Sequence, residues 1–213
     1  VRYCLKNEEM YRIQLRALLR ASAYGDLQIM IPLVTGVEEL RSVKKLIEEI
    51  KSELDKEGIN YNKDIKIGVM IETPAASLVA DLLAKEADFF SIGTNDLTGY
   101  TMAVDRGNAN VAYLYSSFAP AVLRSIKHII TEGKKAGIPV GMCGEAAADP
   151  MLIPLLISFG LDEYSVTPTS ILSTRKEISR WTKKEADEIA NEIMALDTEK
   201  QVVDTLERLL SKA

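Results

Sequence analysis

The sequence predicts an α/β fold built on a parallel sheet, and three observations carry that reading. Short runs rich in Ile and Val alternate with longer stretches whose apolar residues recur every three or four positions. Thr73-Pro74 and Asp149-Pro150 each join a capping side chain to a proline suited to a first helical turn, so two apolar runs feed directly into helices. The chain has 213 residues, 47% of them hydrophobic, which is enough to bury the core of a single domain spanning 1–213.

A helical pattern opens the chain from Glu8 through Arg20, with Arg16 and Arg20 on one solvated face at i, i+4. Five strands are then expected: Leu27–Val34, Lys66–Glu72, Asp88–Gly93, Ile138–Cys143 and Asp162–Val166. Between the first two, Leu40, Val43, Ile47, Ile50 and Leu54 form the buried stripe of a long helix. Helices are expected to start at Thr73-Pro74 and Asp149-Pro150, with Pro154 bending or delaying the second. From Asn95 to about Ala119 no strand is evident, and the stretch exceeds the roughly 2–6 residues of ordinary βα connections. Further on, Val122, Ile126, Ile129 and Ile130 mark a helix with His128, the only histidine, on its opposite, solvated side. Two packing helices close the chain, with stripes Ala186, Ile189, Ala190, Ile193, Met194 and Val203, Leu206, Leu209, Leu210.

A net charge of −5 without long runs of one sign gives no support to nucleic-acid binding. Cys4 and Cys143 lack paired spacing, which argues against a disulfide scaffold or a zinc site and fits a reducing cytoplasm. No apolar run approaches the roughly 20 residues of a membrane span, so no membrane insertion is expected. A lone, surface-facing histidine also leaves no Ser–His–Asp or Cys–His triad to build.

The chemistry concentrates where strands end. Phe89, Phe90 and Ile92 lead through Gly93 into Asn95 and Asp96, followed by Arg106. Ligands of parallel α/β folds bind at this end of the strands, where the loops converge. Asp96 is a hard oxygen donor suited to Mg²⁺, and Arg106 carries a planar fork that grips phosphate or carboxylate. Glu72 ends the preceding strand, so two carboxylates on consecutive strand tips form a candidate divalent-metal pair. Cys143 lies between Gly141 and Gly144 at the next tip, where a thiol can serve as acid or nucleophile, with Glu145 beside it. An anion carrying a metal is the implied ligand. Five strands fit either an open doubly wound sheet or part of a (β/α)₈ barrel, whose closed form takes about 250 residues.

Five segments carry a family resemblance: Arg16-Ala-Leu-Leu-Arg-Ala-Ser22, Gly68-Val-Met-Ile-Glu-Thr-Pro-Ala-Ala76, Asp88 through Thr98, Ala103-Val-Asp-Arg-Gly-Asn108 and Gly141-Met-Cys-Gly-Glu145. Together they make the whole chain resemble the phosphoenolpyruvate-binding C-terminal domain of enzyme I of the bacterial sugar phosphotransferase system. The resemblance implies a TIM-type (β/α)₈ barrel that lacks its first three strands in this chain, and a separate phosphohistidine domain that is absent from it. It implies that Glu72 and Asp96 hold Mg²⁺, that Asn95 and the Asp96 backbone contact phosphoenolpyruvate, and that Arg106 binds its phosphate. Cys143 is then the general acid that protonates the enolate carbon as pyruvate forms. The phosphoryl group would pass to a histidine on that N-terminal domain and then to a small phosphocarrier protein, in a cytoplasmic homodimer. Gly99 stands where the family carries glutamine, and Ala148 where it carries glycine. Related alternatives are the pyruvate phosphate dikinase or phosphoenolpyruvate synthase group, and a non-catalytic binding or dimerisation module. This chain alone is expected to be incomplete for turnover.

Overall fold

The computed structural model describes residues 1–211. In chain order the elements begin with helices α1 (Arg2–Lys6) and α2 (Glu8–Ala21), strand β1 (Ile29–Ile31), helix α3 (Val37–Glu57) and strand β2 (Ile67–Ile71). Helices α4 (Pro74–Leu78) and α5 (Ala80–Leu83) lead to β3 (Phe90–Gly93), α6 (Thr94–Met102), α7 (Pro120–Ala136) and β4 (Val140–Cys143). The remainder comprises α8 (Ile153–Phe159), β5 (Glu163–Tyr164), α9 (Ile171–Arg180), α10 (Lys183–Met194) and α11 (Glu199–Leu210).

The five strands among the described residues are parallel and pair in sequence order, β1-β2-β3-β4-β5. A doubly wound sheet reverses its strand order at a switch point. This sheet has no reversal and runs as one continuous arc, an order that a barrel wall shares. Among the described residues β1 and β5 each have a single strand neighbour, and the arc is open.

Register explains which face is buried. Ile31, Val69, Phe90 and Val140 stand side by side, as do Ile71, Ile92, Met142 and Tyr164. These rows pack with the helices' apolar stripes into one core. The intervening row, Met70, Ser91, Gly141 and Glu163, is partly or fully exposed, and Met30 on β1 is 39% exposed. Period-2 alternation therefore separates a covered face from an uncovered one.

The five expected strands exist but are shorter. Asp88 and Asp162 lie just before β3 and β5, where their carboxylates accept from the Ile67 and Val140 amides at 2.8 Å each. These side chains bracket the neighbouring strand. At the other end of β1, Leu33 adopts a φ of 52°, which no strand residue can hold.

The Thr73 start is confirmed, its hydroxyl accepting from the Ala76 amide at 3.1 Å. Asp149-Pro150 is corrected: Asp149 accepts from the Met151 amide in a turn, and α8 begins at Ile153. Pro154 falls in its first turn, where a missing N–H costs nothing, so of the two expected effects the helix shows the delay and not the bend. The closing helices form as expected, each with a capping box, Thr182–Glu185 and Thr198–Gln201. On α11 the buried positions are Val202 and Leu206, with Val203 only partly covered. The sequence did not signal α9, nor α6, which occupies the start of the long segment after Asn95.

Candidate functional site

Glu72 follows the last residue of β2 and is 4% exposed. Its Oε1 accepts from the Leu33 amide at 2.7 Å, an N–H that the left-handed turn after β1 leaves free. On the next strand a Cβ at Gly93 would stand 2.7 Å from Glu72 Oε2, so the glycine makes room for the carboxylate to cross the tip of β3. Burial pushes the Glu72 carboxyl above its usual range; the Leu33 N–H opposes this, and the nearby Asp96 carboxylate adds to it. Asp96 lies in the first turn of α6. Two carboxylates thus face each other on adjacent strand tips.

Asn95 precedes Asp96 and borders with it a cavity of about 560 Å³, also lined by Gly99, Tyr100, Arg106 and Tyr115. Helix α6 ends at Ala103, in the left-handed region at φ 54°, and the Val104 amide donates to the Gly99 carbonyl at 2.8 Å. This sharp exit sends the chain back along α6 and brings Arg106 to the same cavity as Asn95 and Asp96. Asp105 accepts from the Gly107 amide at 2.8 Å, shaping the loop from within.

Cys143 ends β4, beside Gly93 in register. Its Sγ lies 3.7 Å from the Ile92 carbonyl. Burial raises its pKa, Ser91 opposes the shift, and the Glu72 charge adds to it. Gly144 follows with φ +95°, and a Cβ there would lie 2.3 Å from Thr94 Oγ1. Only glycine permits that approach, which lets Thr94 donate to the Cys143 carbonyl at 2.9 Å. Glu145 opens a short 3₁₀ turn through Ala148 and is exposed.

The structure therefore brings Glu72, Asn95, Asp96, Arg106 and Cys143 to one rim, with Glu72 near both Asp96 and Cys143. Glu72 and Cys143 do not line the cavity itself; Glu72 stands beside Asp96, which does, and Cys143 stands beside Glu72. Arg16 pairs with Glu57 of α3, away from this rim, and His128 is a helix-face residue 3.9 Å from Glu132. Tyr115 and Thr94 at this rim escaped sequence reasoning. Thr94 stood inside the most informative segment, whereas Tyr115 reaches Asn95 only through folding.

The donor set fits a magnesium ion. Among the described residues no group of three or more His, Cys, Asp or Glu gathers to hold a metal. Mg²⁺ commonly takes one or two carboxylates and completes its shell with water and ligand phosphate oxygens. The pair Glu72 and Asp96 meets that requirement.

A family model described as PEP-utilising enzyme, PEP-binding domain, matches residues 1–183. The chain belongs to this family. It is 48% identical over 213 residues to the phosphoenolpyruvate-protein phosphotransferase of Geobacillus stearothermophilus, covering 100% of this chain and 37% of that protein. The Bacillus subtilis (strain 168) protein of the same name is 48% identical over 203 residues, 95% of this chain and 36% of its own length. The chain thus spans little more than a third of the length of those relatives. A citrate lyase from Burkholderia xenovorans LB400 superposes with a TM-score of 0.59 at 17% identity, over 94% of this chain and 69% of that one. That likeness concerns the fold alone.

Proposed function

We propose that this chain binds phosphoenolpyruvate with Mg²⁺ and supports transfer of its phosphoryl group to a protein histidine with release of pyruvate. It would serve as the phosphoenolpyruvate-binding part of a phosphoenolpyruvate-protein phosphotransferase. The observation that carries this reading is the meeting of two carboxylates, an amide, a guanidinium and a thiol at one strand-tip rim. The 48% identity to proteins of that name supports the assignment of ligand and reaction.

Glu72 and Asp96 would hold the ion. Bound there, it supplies charge neutralisation for the phosphate and carboxylate oxygens of the ligand. Arg106 offers two parallel N–H donors to the phosphate, and Asn95 orients the ligand from the first turn of α6. When the phosphorus–oxygen bond breaks toward the accepting histidine, the enolate of pyruvate remains. The Cys143 thiol then gives its proton to the terminal carbon, leaving a thiolate that regains a proton from water. Its raised pKa supports that role, because the group must be protonated at neutral pH to donate.

Residues 1–213 are proposed to form the C-terminal part of a single barrel domain. For the whole protein the partners would be a histidine-bearing N-terminal domain, a phosphocarrier protein and a second copy, in the cytoplasm. No described helix is long and apolar enough to cross a membrane.

Mn²⁺ titration by paramagnetic relaxation, with phosphoenolpyruvate present, tests the site on the chain itself. Glu72→Ala and Asp96→Ala are each expected to weaken ion binding by at least the roughly 10- to 100-fold that losing an outer-shell partner costs. Equal affinity in all three proteins removes the metal site.

A further inference from the structure

Tyr115 has no role among the groups assigned to the site so far. Its hydroxyl donates to the Asn95 carbonyl oxygen at 3.1 Å, tying the loop after Arg106 to the first turn of α6. A Cβ on Gly99 would crowd the Val104 carbonyl oxygen at 3.2 Å but meet the Tyr115 ring only at an ordinary contact distance of 4.0 Å, so the ring lies over α6 at Gly99. The Arg106 guanidinium and the Thr98 hydroxyl stand beside the phenol.

Arg106 needs such a support. It sits on an exposed loop, and the ties at Val104 and Gly107 hold backbone, leaving a long side chain to be ordered. A guanidinium fork recognises phosphate bidentately only when it is aimed.

We infer that Tyr115 is a positioning residue that fixes Asn95 and Arg106 relative to each other before an anionic ligand arrives. The inference rests on the proposed phosphoenolpyruvate site. Burial raises the Tyr115 pKa, with Arg106 and Thr98 opposing, so the phenol keeps its proton and donates at neutral pH.

Tyr115→Phe keeps the ring and removes only the hydroxyl. In the ligand-free full chain, hydrogen exchange at the Gly99 and Val104 amides is expected to quicken about 2- to 10-fold, the range that one net hydrogen bond commands. Unchanged exchange overturns the tie. Calorimetric titration with phosphoenolpyruvate and Mg²⁺ completes a cycle of Tyr115→Phe, Arg106→Gln and the double variant. Loss of the hydroxyl should weaken binding about 2- to 10-fold alone and add little once Arg106 is gone. Fully additive losses overturn the route through Arg106. A wild-type chain with no affinity for phosphoenolpyruvate sinks the proposed site, while the exchange measurement still decides the role of Tyr115.

Discussion

Cys143 and Gly144 show how neighbouring residues set a single group's chemistry. Burial, with the Glu72 charge beside it, keeps the thiol protonated, and Thr94 anchors its carbonyl. In a protein that also carries the accepting histidine, Cys143→Ala should bind phosphoenolpyruvate within about threefold of wild type. It should lose about 10²–10⁴-fold in pyruvate formation, the usual share of a general acid. Pyruvate release at the wild-type rate would return the cysteine to the role of a small buried hydrophobe. Gly144→Ala tests the anchor, because φ +95° and the Thr94 hydroxyl both oppose a side chain. Denaturant unfolding should show a loss of about 1–3 kcal/mol. A change under about 0.5 kcal/mol would mean that the turn rearranges freely.

Helix α3 presents a carboxylate whose charge state is coupled to folding. Burial pushes the Glu39 carboxyl up, but the Thr35 amide and hydroxyl, the Gly36 amide and Arg2 outweigh it, leaving its pKa below the ordinary 4.5. The Thr35 amide and hydroxyl donate to Glu39 Oε2 at 2.6 and 3.0 Å. A depressed folded pKa stabilises above the unfolded value, and the contribution is lost as pH falls through the folded one. Glu39→Gln should therefore destabilise more at pH 7 than at pH 3.5 in urea melts, and an equal penalty at both would deny the coupling. The elements themselves were unequally legible. Helix α3 was plain because its stripe repeats over 21 residues, whereas α6 joins Thr, Asn, Asp and Gly, weak helix formers with no clear apolar stripe. Docking of Leu97 and Thr98 into the core holds α6 in place.

At the scale of the whole molecule, the sheet is an arc whose two edge strands each lack a second neighbour among the described residues, with Met30 and Met70 on the uncovered face. Unpaired edges and exposed apolar side chains favour association. Residues 1–213 alone are expected to self-associate in mass-resolved chromatography or to bind an apolar-surface dye. A monodisperse, cooperatively melting monomer that binds no dye would show that five βα units suffice. The alternation of short apolar runs with amphipathic stretches was enough to read the parallel α/β class and to locate Glu72, Asn95, Asp96 and Cys143 at strand ends, because strand and helix periods are local properties of the chain. Folding decided what local signals cannot encode. Strand order chose an arc over a doubly wound sheet, and side-chain carboxylates cut the strands short. Tyr115 joined the site through a hydrogen bond across 20 residues. Such contacts depend on which distant segments the core brings together, and no window of sequence contains them.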